Sequence, residues 1–205
     1  MIHYTAMASC DAALATLCDP ASEVSAHYLI SEMGEVIALV PEDLRAWHAG
    51  AGRWGAVADV NSRSIGIELA NPGDAPFAAA QIDALETLLA GIMNRWTVPP
   101  ERIIAHSDCA PGRKIDPGGR FDWCRLARAG LAVWSVAGPE PLNADAFGAA
   151  LITIGYDPTK PDDTLLSAFR LRHRHGATGP LHPADMGIAL DLAHRFPVDR
   201  DGVWA

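Results

Sequence analysis

His106, Asp108, Arg113, Lys114 and Asp116 crowd into HSDCAPGRKIDPGG, residues 106–119, among two prolines and three glycines. A turn needs proline and glycine, but it has no use for an imidazole, two carboxylates and two bases. Such a stretch is either a solvated loop or part of a reaction centre. Residues elsewhere in the chain favour the second. His3 lies on the strand-like IHY, and His106 ends the strand-like RIIAH, where sites on α/β sheets tend to form. Two imidazoles and a carboxylate, here His3, His106 and Asp116, make a common ligand set for catalytic zinc and leave a position open to water. Calcium and magnesium prefer all-oxygen shells. Spacing alone leaves the metal reading and a structural reading balanced, because no helical HExxH fixes the geometry. Glu68, in SIGIEL, shares a strand face with Gly66 and Ala70, whose small size leaves room for a ligand beside the carboxylate. A charge on a mostly apolar strand costs stability unless it is paired or working, so a functional acid is favoured over an edge residue facing water.

Other motifs weigh less. GAGRWG, residues 50–55, spells GxGxxG, but Trp54 occupies the motif and no helix start follows, so a dinucleotide site is rejected. Trp47 and His48 open the glycine-rich loop, where aromatic residues commonly contact ligands. His27 is explained by a structural hydrogen bond as well as by ligation. RLRHRH reads as a solvated helix end, with Gly176 closing it. Cys10, Cys18, Cys109 and Cys124 form no CxxC pair or zinc spacing, so they read as free thiols, and Cys109 as a packing residue.

The elements that must position these residues follow from periodicity. IHYTA, SAHYLIS and GEVIALVP are strand-like, the latter two as a hairpin across EMG, and SIGIEL and RIIAH add further strands. SCDAALATLCD and FDWCRLARAGL suit helices. The clearest helix lies within residues 75–98, with Ile82, Leu85, Leu88, Leu89 and Ile92 on one stripe. Interleaved strands and helices up to about residue 130 predict a sheet covered by helices. WSVAGPEPLNAD then reads as a linker, followed by three amphipathic helical segments. The expected organisation is a catalytic domain at 1–134, a linker at 135–142 and a three-helix module at 143–205.

Composition narrows the partners. Sixteen Lys and Arg against 25 Asp and Glu give a net charge of −9, which disfavours nucleic acid because phosphate contacts need a basic surface. No apolar run approaches the roughly 20 residues of a membrane span. The opening lacks the basic-then-apolar pattern of a signal peptide, which with the free thiols predicts a cytoplasmic protein. A segment upstream of Met1, or a wall-binding role for the C-terminal helices, would move that expectation to the envelope.

HYTAM, VSAHYLI, RAWHAG, NSRSIGIEL and HSDCAPGRKIDPG, in this order, resemble the type 2 N-acetylmuramoyl-L-alanine amidases, the zinc amidases of the AmpD and AmiD type. Peptidoglycan recognition proteins share their fold. The resemblance covers residues 1–134, and the tail is similar to the three-helix peptidoglycan-binding module of AmiD-like members. It implies an α/β fold with a central mixed β-sheet flanked by helices, followed by a small all-α module. It also implies a Zn2+ ion on His3, His106 and Asp116, with Glu68 and Lys114 catalytic and His27 a family position that is not a ligand. Ala26 stands where many relatives have tyrosine, which places the chain with the branch that uses Glu68.

The implied reaction is hydrolysis of the amide joining the lactyl group of N-acetylmuramic acid, including its 1,6-anhydro form, to L-alanine of a stem peptide. Glu68 would relay the proton, and Lys114 would face the oxyanion. Trp47, His48 and Asn61 are the expected sugar or peptide contacts, Asp108 and Arg113 a supporting pair, and the chain a monomer acting on muropeptides. The rival reading is a non-catalytic muropeptide binder on the same fold. Glu68 and Lys114 discriminate, since a pure binder needs no acid and ammonium at an open metal position. A different zinc hydrolase, such as a peptidase, is a third reading.

Overall fold

The computed structural model describes residues 1–198; residues 199–205, the end of the expected C-terminal module, lie outside the described residues. Four short strands, β1 (Ile2–Tyr4), β2 (Tyr28–Ile30), β3 (Val36–Ala38) and β4 (Ile67–Leu69), form one sheet in the order β1-β4-β2-β3. Strand β4 runs parallel to β1 and β2, while β2 and β3 make the expected antiparallel hairpin. The fold is the mixed α/β sheet that the sequence predicts.

Alternation divides the sheet into two faces. Ile2, Ile30, Ile67 and Leu69 pack on Ile82, Leu85 and Leu89 of α2 (Ala79–Trp96), the predicted apolar stripe. Gln81, which carries no sequence signal, is buried in α2 and donates to the carbonyls of Ile30 at 2.9 Å and Ala70 at 3.1 Å, pinning the helix to two strand ends. On the other face Leu29 and Ala70 meet Ala13, Leu14 and Leu17 of α1 (Cys10–Leu17). Residues of that second face include His3 and Glu68.

The RIIAH segment departs from expectation. Residues 100–102 form a 3-10 turn, Ala105 makes a single bridge to Ile2, and His106 opens α3 (His106–Cys109) instead of ending a strand. The cause is Asp108, whose carboxylate accepts from the Ala105 N–H at 2.8 Å and turns the chain into a helix there. After α4 (Trp123–Arg128) come α5 (Ala144–Ile154), α6 (Asp162–His173) and α7 (Pro183–Arg195). Asn143 caps α5 by accepting from the Ala146 N–H at 3.0 Å. Asp185 reaches back to the His182 N–H at 3.0 Å to cap α7.

The three C-terminal helices share a core with the sheet-bearing part. Phe147, Leu151, Phe169, Met186 and Leu192 join Ala49, Trp54, Ile104 and Cys109 in one apolar cluster. The connecting segment is also docked, for a Cβ on Gly187 of α7 would lie 1.7 Å from the Gly138 carbonyl oxygen. RLRHRH is not a solvated helix end. Arg170, Arg172 and His173 are buried, with Arg170 paired to Asp185 and Arg172 to Asp108. Buried arginines of this kind persist only when a carboxylate takes up their charge.

All four cysteines are free, and burial, with Asp108 adding to it, pushes the Cys109 thiol up to about 12, so Cys109 packs and does not react. GAGRWG is likewise structural: Trp54 is buried edge-on to Tyr156 with ring centroids 5.1 Å apart, and the Arg53 N–H donates to the Cys109 carbonyl at 2.8 Å. Among the described residues no helix is long and apolar enough to cross a membrane.

Candidate metal centre and active site

Three elements far apart in sequence bring the predicted ligands together. Strand β1 carries His3, α3 begins with His106, and the following loop ends on Asp116, tied back by a Ser107 N–H to Asp116 carbonyl bond of 3.0 Å. His3 Nδ1 lies 3.0 Å from His106 Nδ1 and 2.9 Å from Asp116 Oδ2, and His106 Nδ1 lies 3.0 Å from the same oxygen. All three residues are buried.

The surrounding hydrogen bonds fix the tautomers. His106 Nε2 lies 2.9 Å from the Ala49 carbonyl, so Nε2 carries a proton and Nδ1 is the nitrogen left to face His3 and Asp116. Ser64 Oγ spends its own proton on the Val60 carbonyl at 2.6 Å and faces His48 Nε2 at 3.4 Å, so His48 is protonated on Nε2. His48 Nδ1 must then accept, at 3.0 Å, from His3 Nε2–H, which leaves His3 Nδ1 to face His106 and Asp116. Burial is the main cause that lowers His3 to about 4, so it stays neutral at pH 7. Two imidazole Nδ1 atoms and a carboxylate oxygen converge within about 3 Å of one another, a cluster of electron pairs that a cation among them would hold together. Two imidazoles and one carboxylate are the ligand types that suit zinc, and catalytic zinc sites with three protein ligands take water in the fourth position. The donor set fits the metal.

Glu68 stands beside this set. Parallel pairing of β1 with β4 puts His3 and Glu68 in register on adjacent strands, with their side chains on one sheet face. Glu68 is partly covered as a residue, yet its Oε2 is sealed from solvent and has no hydrogen-bond partner. Burial raises its carboxyl to about 8, with Asp116 adding to the rise and Lys114 opposing it. An unpaired, proton-hungry carboxylate is a functional-site signature. Lys114 is exposed on the loop, near enough for its charge to act on Glu68.

The space predicted beside Glu68 at Gly66 is already filled. A Cβ on Gly66 would lie 2.3 Å from Cγ of His48, so the glycine exists to let that ring reach His3. His48 and Asn61, expected to touch sugar or peptide, are buried and spent on the ligand set. Asn61 Oδ1 accepts from the N–H groups of His48 at 3.0 Å and Ala49 at 2.8 Å, which holds the Ala49 carbonyl under His106. Trp47 is different: it is 56% exposed, with the Arg45 guanidinium 4.2 Å from its ring centroid. It walls a groove of about 630 Å³ together with Leu17, Cys18, Val24 and Ser25. His27 is structural, since its Nδ1 accepts from the Gly66 N–H at 2.9 Å and its Nε2 lies 3.0 Å from the Leu44 carbonyl.

Asp108 and Arg113 do not pair with each other. Arg113 donates to the Ala49 carbonyl at 2.6 Å and to that of Ala51. Asp108, fully buried, accepts from Arg172 and from the Tyr156 hydroxyl, both at 2.8 Å. Sequence reading missed both partners, because no local spacing links residue 108 to residues 156 and 172.

Known proteins match this chain in sequence and fold. A profile of the N-acetylmuramoyl-L-alanine amidases matches residues 1–119. The Escherichia coli (strain K12) N-acetylmuramoyl-L-alanine amidase AmiD is 38% identical over 207 residues, spanning 85% of this chain and 74% of that protein. The solved complex of E. coli AmiD with the substrate anhydro-N-acetylmuramic acid-L-Ala-D-gamma-Glu-L-Lys superposes with a TM-score of 0.87 at 35% identity, covering 95% of this chain and 88% of that one. AmpDh3 from Pseudomonas aeruginosa, in complex with anhydromuramic pentapeptide, gives a TM-score of 0.82 at 29% identity over 96% of this chain and 91% of that one. With sequence and fold in agreement, the chain belongs to the N-acetylmuramoyl-L-alanine amidase family.

Proposed function

We propose that this protein is a zinc amidase that hydrolyses the bond between the lactyl carbonyl of an N-acetylmuramoyl group, including its 1,6-anhydro form, and the nitrogen of L-alanine. The observation that carries this is the convergence of two imidazole Nδ1 atoms and one carboxylate oxygen on a single point. His3, His106 and Asp116 would hold the ion. Bound there, zinc supplies Lewis-acid polarisation of a water and of the substrate carbonyl at neutral pH.

The remaining steps belong to side chains of the chain. Water adds across the C–N bond, oxygen to the carbonyl carbon and hydrogen to nitrogen. In its ionised form, which a cation on the three ligands would favour, Glu68 accepts the proton the water sheds and returns one to the departing L-alanine nitrogen, for which its unpaired Oε2 is suited. Lys114 sets positive charge near the carbonyl oxygen as it becomes negative, a donor of the kind worth about 3–4 kcal/mol. His48 and Asn61 act from behind, fixing the orientation of His3 and of the carbonyl that holds His106. Trp47 and its groove offer an exposed aromatic surface for the sugar or peptide. A muropeptide binder without catalysis would gain nothing from leaving a carboxylate oxygen unpaired beside the ligands.

The test is metal content and its consequence. The purified protein is expected to carry about one zinc per chain. Chelation should stop release of stem peptide from anhydro-muramoyl and reducing muramoyl peptides alike, and added zinc should restore it. Full turnover by metal-free protein would refute the reading.

A further inference from the structure

Asp108 is fully buried two residues along from the ligand His106, and two of its partners come from the far end of the chain. One oxygen, Oδ2, accepts from the Ala105 N–H and from Arg172 Nη1, each at 2.8 Å; the other, Oδ1, accepts from the Tyr156 hydroxyl at 2.8 Å. The Ala105 bond sets the first turn of α3 and so the direction of His106. Arg172 is held in turn by the face of Trp123, 4.0 Å from its ring centroid.

The contact between α6 and the metal loop is broader than this cluster. A Cβ on Gly112 would lie 2.9 Å from Thr164 Cγ2 at the start of α6, and one on Gly119 would lie 3.3 Å from His175 Nδ1 just past its end. Helix α6 therefore runs along the loop that joins His106 to Asp116.

We infer that the C-terminal helices position the metal-binding loop: Arg172 and Tyr156, acting through Asp108, hold α3 so that His106 meets His3 and Asp116. They are positioning residues: both are buried, and neither is among the three residues that would hold the metal. The inference rests on the zinc reading above and assigns part of its affinity to a region outside residues 1–119, where the family match ends. Groups that orient metal ligands commonly contribute about 10–100-fold in affinity or activity.

The test measures the apparent zinc dissociation constant of the full-length protein by competition with a chromophoric chelator, alongside kcat, KM and thermal midpoint. Tyr156→Phe removes one hydroxyl and keeps the shape; Arg172→Met removes the charge; Arg172→Lys restores it. Arg170→Met is the control, because Arg170 pairs with Asp185 inside the C-terminal helices and makes no bond to α3. The inference expects Tyr156→Phe and Arg172→Met to weaken zinc binding about 10–100-fold and to lower kcat with KM little changed. Arg172→Lys should recover part of both, and Arg170→Met should lower the thermal midpoint while zinc affinity stays at the wild-type value.

Wild-type zinc affinity in Tyr156→Phe and Arg172→Met overturns the inference, as does an equal loss in Arg170→Met. If Arg172→Met does not fold, Tyr156→Phe and Arg172→Lys carry the same comparison. Failure of the wild-type protein to bind zinc would instead refute the metal reading itself.

Discussion

Asp116→Ala is expected to lose both zinc and turnover while the protein remains folded. The substitution removes the one anionic ligand and leaves two neutral imidazoles, so the loss should exceed the 10–100-fold typical of residues that only orient ligands. It also removes the charge that adds to the raised pKa of Glu68. Asp116 is nearly buried at the end of a loop braced by Pro111 and Pro117, and its backbone carbonyl, which alanine retains, makes the bond to Ser107. Metal analysis and a thermal melt of the variant check this. A variant that retains zinc at wild-type affinity would remove Asp116 from the ligand set.

Glu68→Gln is expected to cost about 10²–10⁴-fold in kcat, the usual contribution of a positioned acid or base, with zinc content unchanged. Glutamine keeps the shape but cannot carry a proton between water and leaving group. Stability should not fall with it. Burial disfavours the ionised carboxyl, so the uncharged amide should hold the thermal midpoint near pH 7 and raise it above pH 8. Loss of turnover without loss of stability separates a working acid from a structural one. Wild-type kcat in Glu68→Gln would take the proton relay away from this residue.

Much of the site was legible because its chemistry is unusual for its setting. His3 and Glu68 stand out on apolar strands, and the 106–119 stretch holds more charge than a turn can use. The alternation of SIGIEL placed Glu68 on the correct side with Ala70, and the 3.6-residue stripe of Ile82, Leu85 and Leu89 placed α2. What sequence could not show was contact between distant segments. Gly66 reads as open space on a strand, and only the approach of His48 from another loop shows that the space is used. RLRHRH looks like a solvated helix end because its carboxylate partners, Asp108 and Asp185, lie on other helices. RIIAH has strand propensity throughout, and the Asp108 cap that cuts it short is a tertiary choice enforced by Arg172 and Tyr156.

The identity of the bond that is cut is read from the products. Mass spectrometry after incubation with an anhydro-N-acetylmuramoyl peptide shows them, with zinc-loaded and chelated protein run in parallel. Two products are expected whose masses sum to the substrate plus one water, anhydro-N-acetylmuramic acid and an intact stem peptide with a free L-alanine amine, formed only by the zinc-loaded protein. Cleavage within the peptide, or binding of the substrate without any cleavage by zinc-loaded protein, would contradict the proposed reaction.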